Sequence, residues 1–218
     1  MPEEFLLPVV MTIAVAVLGS FALGTQWNVR KGDQVLRWLT EGLPLIGERT
    51  TYRWLGSSVL ELKIAKANAP FRNAETLVVF EPRDILLLWW WSRLRGRRDL
   101  MIFRAQLIAA PGFELEIFDP TAWTTHQSER DLKNKQWTQF DLPANPTLRA
   151  YHSAKADPTL IPRLVNLATH LDGTLARISV HRDLPNLEIH WRLPDLKTKS
   201  AHDPFVKLQQ IAAEILRR

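Results

Sequence analysis

Cysteine is absent from the 218 residues. That excludes disulfides, thiolate metal sites and cysteine nucleophiles. Glycine is scarce, at nine, and none falls in G-x-S-x-G, G-x-x-x-x-G-K-[ST] or G-x-G-x-x-G spacing. Neither a nucleophile elbow nor a phosphate-cradling loop is encoded. The histidines form no H-E-x-x-H pair, and His126, His152, His170 and His202 stand apart without zinc-like spacing. A further absence is local. From Phe5 to Trp27 the chain carries no Asp, Glu, Lys or Arg.

That uncharged run, FLLPVVMTIAVAVLGSFALGTQW, predicts one transmembrane helix, because about 20 residues at ~1.5 Å rise cross a ~30 Å hydrocarbon core. Pro8 falls in its first turn, where a missing N–H costs little. Trp27 stands where an interfacial anchor belongs. Glu3 and Glu4 precede the run, whereas Arg30, Lys31 and Arg37 follow it. The positive-inside tendency then places the N-terminus outside and the rest of the chain in the cytoplasm, on the inner face of the cell membrane. A cleaved signal peptide is disfavoured by the acidic start and by Phe21-Ala22-Leu23, a poor cleavage sequence.

What the chain has in quantity is tryptophan, nine residues, and basic charge, with a pI near 9.7. The basic excess lies near the anchor: residues 26–98 hold 13 Lys and Arg against 7 Asp and Glu, while residues 99–218 are nearly balanced. Anionic lipid headgroups are therefore the expected polyanion. Nucleic acid is not expected as a partner, since no reading motif accompanies the charge.

Beyond the anchor (1–27), segment 28–56 reads as a juxtamembrane amphipathic helix, Asp33 to about Ile46, and a connector. Val35, Leu36, Leu39, Leu43 and Ile46 give the helical stripe, with Trp38 beside it. Residues 57–120 read as strands at Val59–Lys66 and Glu75–Glu81, a helix from Asp84 to Leu94, and strands at Asp99–Ala109 and Phe113–Phe118. A polar linker follows at 121–135. Residues 136–218 carry strands at Gln136–Leu142 and Leu148–Ala154, a helix from Asp157 to Leu171, strands at Leu175–His181 and Leu187–Leu193, and a terminal helix from Asp203 or Pro204. The predicted class is α+β, antiparallel strands with helices on one face, in two halves of the same ββαββ order, a possible tandem pseudo-repeat.

Two stretches invite a functional reading. The first is Ile85–Arg98, ILLLWWWSRLRGRR. It is too short to span, but it suits a helix dipping into the headgroup region. Three consecutive tryptophans sweep about 200° of a helix, so at least one should leave the core. Trp27, Arg30, Lys31, Trp38, Trp89, Trp90, Trp91, Arg93, Arg95, Arg97 and Arg98 form the expected membrane- or partner-contact set. The second is the 175–193 hairpin. With Pro185-Asn186 at the turn centre, His181 would face His190 and Asp183 would face Glu188, on the face opposite Ile178, Val180, Ile189 and Trp191. Two histidines and two carboxylates could hold a divalent metal or exchange protons, although any sheet with one solvated face shows the same pattern.

No motif resembles a named family and no cofactor is expected. The leading functional expectation is a non-enzymatic accessory or scaffolding subunit of a membrane complex, with other membrane subunits and the bilayer as partners. The alternative is a membrane-tethered enzyme or metal- or ligand-binding domain using the His181/His190 face.

Overall fold

A computed structural model describes residues 3–125, 132, 135, 137–171 and 173–217. His126 and most of the expected linker lie outside the described residues. The first element, α1 (Glu3–Leu39), is one unbroken helix of 37 residues. Gly32 and Asp33 do not start a new helix; they continue the one that begins at the anchor. The reason is a stripe at 4, 4, 3 and 4 spacing, namely Gly24, Asn28, Gly32, Val35 and Leu39, all buried. A Cβ at Gly24 would overlap the Arg83 carbonyl, and one at Gly32 would strike the Trp54 ring. Small residues thus let the rest of the protein lie directly against the helix backbone. From Leu6 to Gly19 every residue of α1 is exposed. It is long and apolar enough to cross a membrane, with mean hydropathy 2.4 over its most apolar window and no part of that window buried.

A four-residue helix, α2 (Leu43–Ile46), follows. Then come β1 (Gly47–Trp54), β2 (Val59–Ala67), β3 (Phe71–Val79), α3 (Leu86–Leu94), β4 (Leu100–Leu107) and β5 (Leu115–Phe118). The chain continues with β6 (Thr138–Phe140), β7 (Arg149–His152), α4 (Leu160–Thr169), β8 (Leu175–Val180), β9 (Leu187–Arg192) and α5 (His202–Leu216). The class is α+β, as expected. All nine strands form one antiparallel sheet in the order β1-β2-β3-β4-β9-β8-β5-β7-β6. The two halves therefore interleave: β9 joins β4, and β5 lies between β8 and β7. β3 and β4, which flank α3, are neighbours, whereas β7 and β8, which flank α4, are not.

One face of the sheet carries the core. A single rung shows why: Leu62, Thr76, Phe103, Ile189, Ile178, Ile117 and Ala150 are successive cross-strand partners. Onto this face pack Ile161, Leu164, Val165 and Ala168 of α4, Phe205, Leu208, Ile211 and Ile215 of α5, and Val35, Trp38 and Leu39 of α1. The one polar member of the rung, Thr76, is buried and its hydroxyl has no partner among the described residues. An unsatisfied buried hydroxyl costs about 1–3 kcal/mol. The near-isosteric Thr76→Val variant should therefore unfold at higher urea, gaining about 1–2 kcal/mol by that reasoning. A lower midpoint would mean that the hydroxyl is satisfied.

Trp38 belongs to this core. It is 5% exposed and its indole N–H donates to the Lys199 carbonyl at 2.6 Å. Its expected place on an outward contact surface is thus corrected: the helical stripe that includes Val35 and Leu39 turns Trp38 inward with them.

Candidate functional site

Trp27 and Trp89 of the expected contact set meet where α1 packs beside α3. Pro82 to Ile85 leads from the sheet into α3, and the close approach at Gly24 brings Arg83 and Asp84 against α1. Leu86 and Trp89 of α3, with Ser20, Leu23, Gly24, Trp27 and Arg83, line an apolar recess of about 170 Å³ between the two helices. Hence α3 stands beside the last two turns of the uncharged run.

A buried polar knot fastens this junction. Arg83 donates to both Asp99 oxygens at 3.0 Å and to the Asn28 side-chain oxygen at 3.0 Å. Lys31 pairs with Asp99, whose other oxygen accepts the Glu81 backbone N–H at 2.7 Å. Asn28 donates to the carbonyls of Ser57 and Glu81, both at 3.2 Å. Glu81 in turn accepts from the Trp89 indole at 2.5 Å and from Arg93 at 3.0 Å. Burial works against ionisation of Asp99, yet the Arg83 hydrogen bonds and the Lys31 charge outweigh it and hold its carboxyl below the usual carboxylate range. Lys31, Trp89 and Arg93 of the expected contact set are thus committed, at least in part, to joining α1 and α3 to the sheet.

The outward side of α3 is different. Within the helix only Ser92 is buried. Leu87 is 83% exposed, Leu94 67%, Trp90 61% and Trp91 50%, and Ile85 and Leu86 are also half exposed or more. This apolar surface is continuous with the bare part of α1 through the recess between them. Cations border it. Arg83 lies over the Trp27 ring at 5.8 Å, Arg95 over Trp91 at 3.7 Å, Arg93 over Trp89 at 5.8 Å and Arg97 over Trp123 at 4.4 Å. Arg98 ties off the turn after α3 by donating to the carbonyls of Arg93 and Arg97, and Arg30 is exposed on α1. The sequence pointed to at least one outward tryptophan in α3, and Trp90 and Trp91 are both exposed. What it missed is Arg83, which fixes the surface in place; Pro82-Arg83-Asp84 offered no periodicity to flag it.

The His181/His190 face is built otherwise than expected. The loop centre falls between Asp183 and Leu184, because the Asn186 amide donates to the carbonyls of His181, at 3.3 Å, and Arg182, at 2.9 Å, staples the turn and returns its own carbonyl to the His181 N–H. Ser179 therefore faces Glu188 and Arg177 faces His190. His181 does not oppose His190, and Asp183 remains in the loop away from Glu188. The division of faces itself stands as expected. Among the described residues, no three His, Asp or Glu side chains gather in a way that could hold a metal ion.

This face carries a charged rung crossing all nine strands: Thr51, Lys63, Glu75, Arg104, Glu188, Ser179, Glu116, Tyr151 and Gln139. Its centre is closed from water. Glu116 and His190 are each 4% exposed and Ser179 is 2% exposed. Glu116 accepts from Ser179 at 2.7 Å, Arg177 at 2.7 Å and His181 at 3.1 Å. Glu188 accepts from Arg104 at 2.6 Å and lies 2.7 Å from His190. Thr124 and Trp137, from the described ends of the connection after β5, lie against this surface at His190 and His181. Buried and mutually satisfied, these groups act as cross-strand struts.

The hydrogen bond to Glu116 raises the His181 pKa above its ordinary 6.5, against the effect of burial. Burial opposes ionisation of Glu188 too, but His190 and the two arginines hold it at about 2, down from 4.5. A raised histidine pKa stabilises the fold fully below about pH 6.5, and that contribution fades as pH rises through the folded value. A depressed carboxylate stabilises above about pH 4.5, and its contribution is lost on descent towards 2. Urea midpoints should accordingly fall on both sides of the interval between, and His181→Gln should flatten the alkaline side. An unchanged alkaline limb would mean that His181 does not carry it.

Neither protein-family models nor characterised protein sequences give a match to this chain.

Proposed function

We propose that the protein is a single-pass membrane-anchored scaffold, an accessory subunit that holds its α+β domain in a fixed pose on the cytoplasmic leaflet. One observation carries the reading: α3 leaves a leucine- and tryptophan-rich face open beside the final turns of an uncovered apolar helix. Ser20 to Trp27 covers about 10 Å at 1.5 Å per residue, the depth to which interfacial helices bury their apolar faces. With the uncharged run in the hydrocarbon, α3 lies at the boundary between acyl chains and headgroups. Trp27, Trp90 and Trp91 sit where indoles are favoured, and Arg30, Arg95 and Arg98 are placed to reach lipid phosphates. The absence of charge before Trp27 and the basic excess after it support an outside N-terminus and a cytoplasmic domain.

A helix that runs unbroken from the span into the core converts the anchor's orientation into the domain's orientation. That is useful in a subunit that presents surfaces to other membrane proteins. The alternative, a site on the His181/His190 face, gains no support from a network whose carboxylates are already occupied by Arg104, Arg177 and Ser179. Solubilisation in mild detergent followed by native electrophoresis tests the scaffold reading. A discrete assembly larger than the monomer is expected, and a strictly monomeric, partner-free species contradicts it.

A further inference from the structure

On the outer face of the sheet, where β9 ends beside the turn that follows α3, lies a pocket of about 190 Å³. Arg95 and Arg98 come from that turn, Arg192 from the end of β9, and Thr121, Trp123 and Thr124 from the connection after β5. Leu100 and Ala176 belong to a small apolar cluster beneath it. Among the described residues no carboxylate pairs with Arg95, Arg98 or Arg192. Asp99, next to Arg98 in sequence, is taken up by Arg83 and Lys31, and Asp119 takes the N–H and hydroxyl of Thr121. Arg98 uses one guanidinium nitrogen on backbone carbonyls, which leaves the rest of its donor fork free. The Arg95 guanidinium lies over the Trp91 ring, 3.7 Å from its centroid. Three cations drawn from two separate elements thus converge on one concavity with no anion of their own.

We propose that this pocket seats the phosphate of an anionic glycerophospholipid. The inference rests on the membrane-facing reading above, which sets Trp91 and Leu94 beside the acyl chains while the turn after α3 lies among the headgroups. Planar guanidinium groups present paired N–H donors to phosphate oxygens, and the Trp123 ring walls the site. The lipid's diacyl tail would run along the exposed face of α3. Arg192 distinguishes a pocket from a diffuse basic surface, because it stands on the sheet and not on α3.

The test uses the full chain in a nonionic detergent, with thermal unfolding followed against dioctanoyl phosphatidylglycerol, dioctanoyl phosphatidylcholine and inorganic phosphate. A ligand that binds only the folded state raises the midpoint. Phosphatidylglycerol should raise it saturably, and phosphatidylcholine should not. Arg192→Gln should raise the half-saturating phosphatidylglycerol concentration about fivefold, the effect of one basic residue at a lipid surface, while Arg163→Gln, on the exposed side of α4, changes it less than twofold. Equal losses in the two variants would overturn the pocket in favour of general attraction. Saturation by inorganic phosphate at the same concentration would overturn the lipid assignment in favour of a free anion. The membrane-facing reading fails separately, if a probe on Leu87 in a bilayer reports an aqueous setting.

Discussion

Asp99→Ala should lower the unfolding free energy by about 3–5 kcal/mol, the usual cost of removing one partner from a buried ion pair. Asp99 is 6% exposed, and Arg83, at 8%, gives it two hydrogen bonds of 3.0 Å. Without the carboxylate, the Arg83 guanidinium keeps Asn28, the Trp27 ring and the edge of Glu81, 3.6 Å away. The Glu81 N–H also loses its acceptor. Lys31 suffers less, because it is about a third exposed and can turn to water. Asp99→Asn, which keeps an acceptor for Glu81 but removes the charge, should cost about half as much by the same reasoning. Replacing both partners, as in Arg83→Met with Asp99→Leu, should recover much of the loss, since a well-packed apolar pair often matches a buried ion pair. Urea unfolding in detergent measures all of these. A loss below about 1 kcal/mol in Asp99→Ala would place the pair in the solvent-screened class of exposed salt bridges.

The second large effect concerns membrane attachment without the span. A chain beginning at Ser20 keeps Gly24 and Asn28, which the domain needs for packing, and sheds the uncovered part of α1. It should still bind vesicles rich in phosphatidylglycerol. Salt at about 0.5 M should weaken the binding, because attraction of roughly 1 kcal/mol per basic residue acts across a Debye length that such salt shortens. Substituting Leu87→Asp and Trp91→Asp together should reduce the partition coefficient roughly a hundredfold, taking about 1.5 kcal/mol for each large side chain withdrawn from the interface. Both side chains are at least half exposed, so the fold should tolerate the change. Sedimentation with sucrose-loaded vesicles reads the result. Equal binding of the two truncated chains would show that charge alone holds the domain to lipid.

Where the sequence sets a strong period or a composition limit, it can be read directly. The uncharged run, the apolar alternation of β2, β8 and β9 and the outward tryptophans of α3 all follow from local pattern. So does the division of hairpin faces, which survives a register shift of an even number of residues. β1 escaped because GERTTYRW is an edge strand exposed on both faces, so no burial alternation marks it. The continuity of α1 escaped because Asp33 read as the start of a second helix, and the buried stripe that joins the two parts, Gly24, Asn28 and Gly32, is not apolar; its glycines admit the Arg83 carbonyl and the Trp54 ring. The polar face of the sheet reads as solvated from the strands alone. Thr124 and Trp137 lie against it, and the pairing of Glu116 with Arg177 and Glu188 with Arg104 bridges strands distant in sequence. The arginine pocket was only half legible: Arg95 and Arg98 stand out as a basic run, while Arg192 joins them through a β4–β9 pairing that no local pattern announces.

The central claim, that α3 seats the domain in the bilayer interface, has a direct measurement. In a chain without cysteine, Leu87→Cys carries a single nitroxide label, and Arg163→Cys on the exposed side of α4 supplies an aqueous reference. In bilayers containing phosphatidylglycerol, collision with oxygen and with a water-soluble nickel chelate reports the depth of each label. The label at 87 should be open to oxygen and shielded from nickel, while the label at 163 should be open to nickel. A label at 87 as open to nickel as the one at 163 would contradict it.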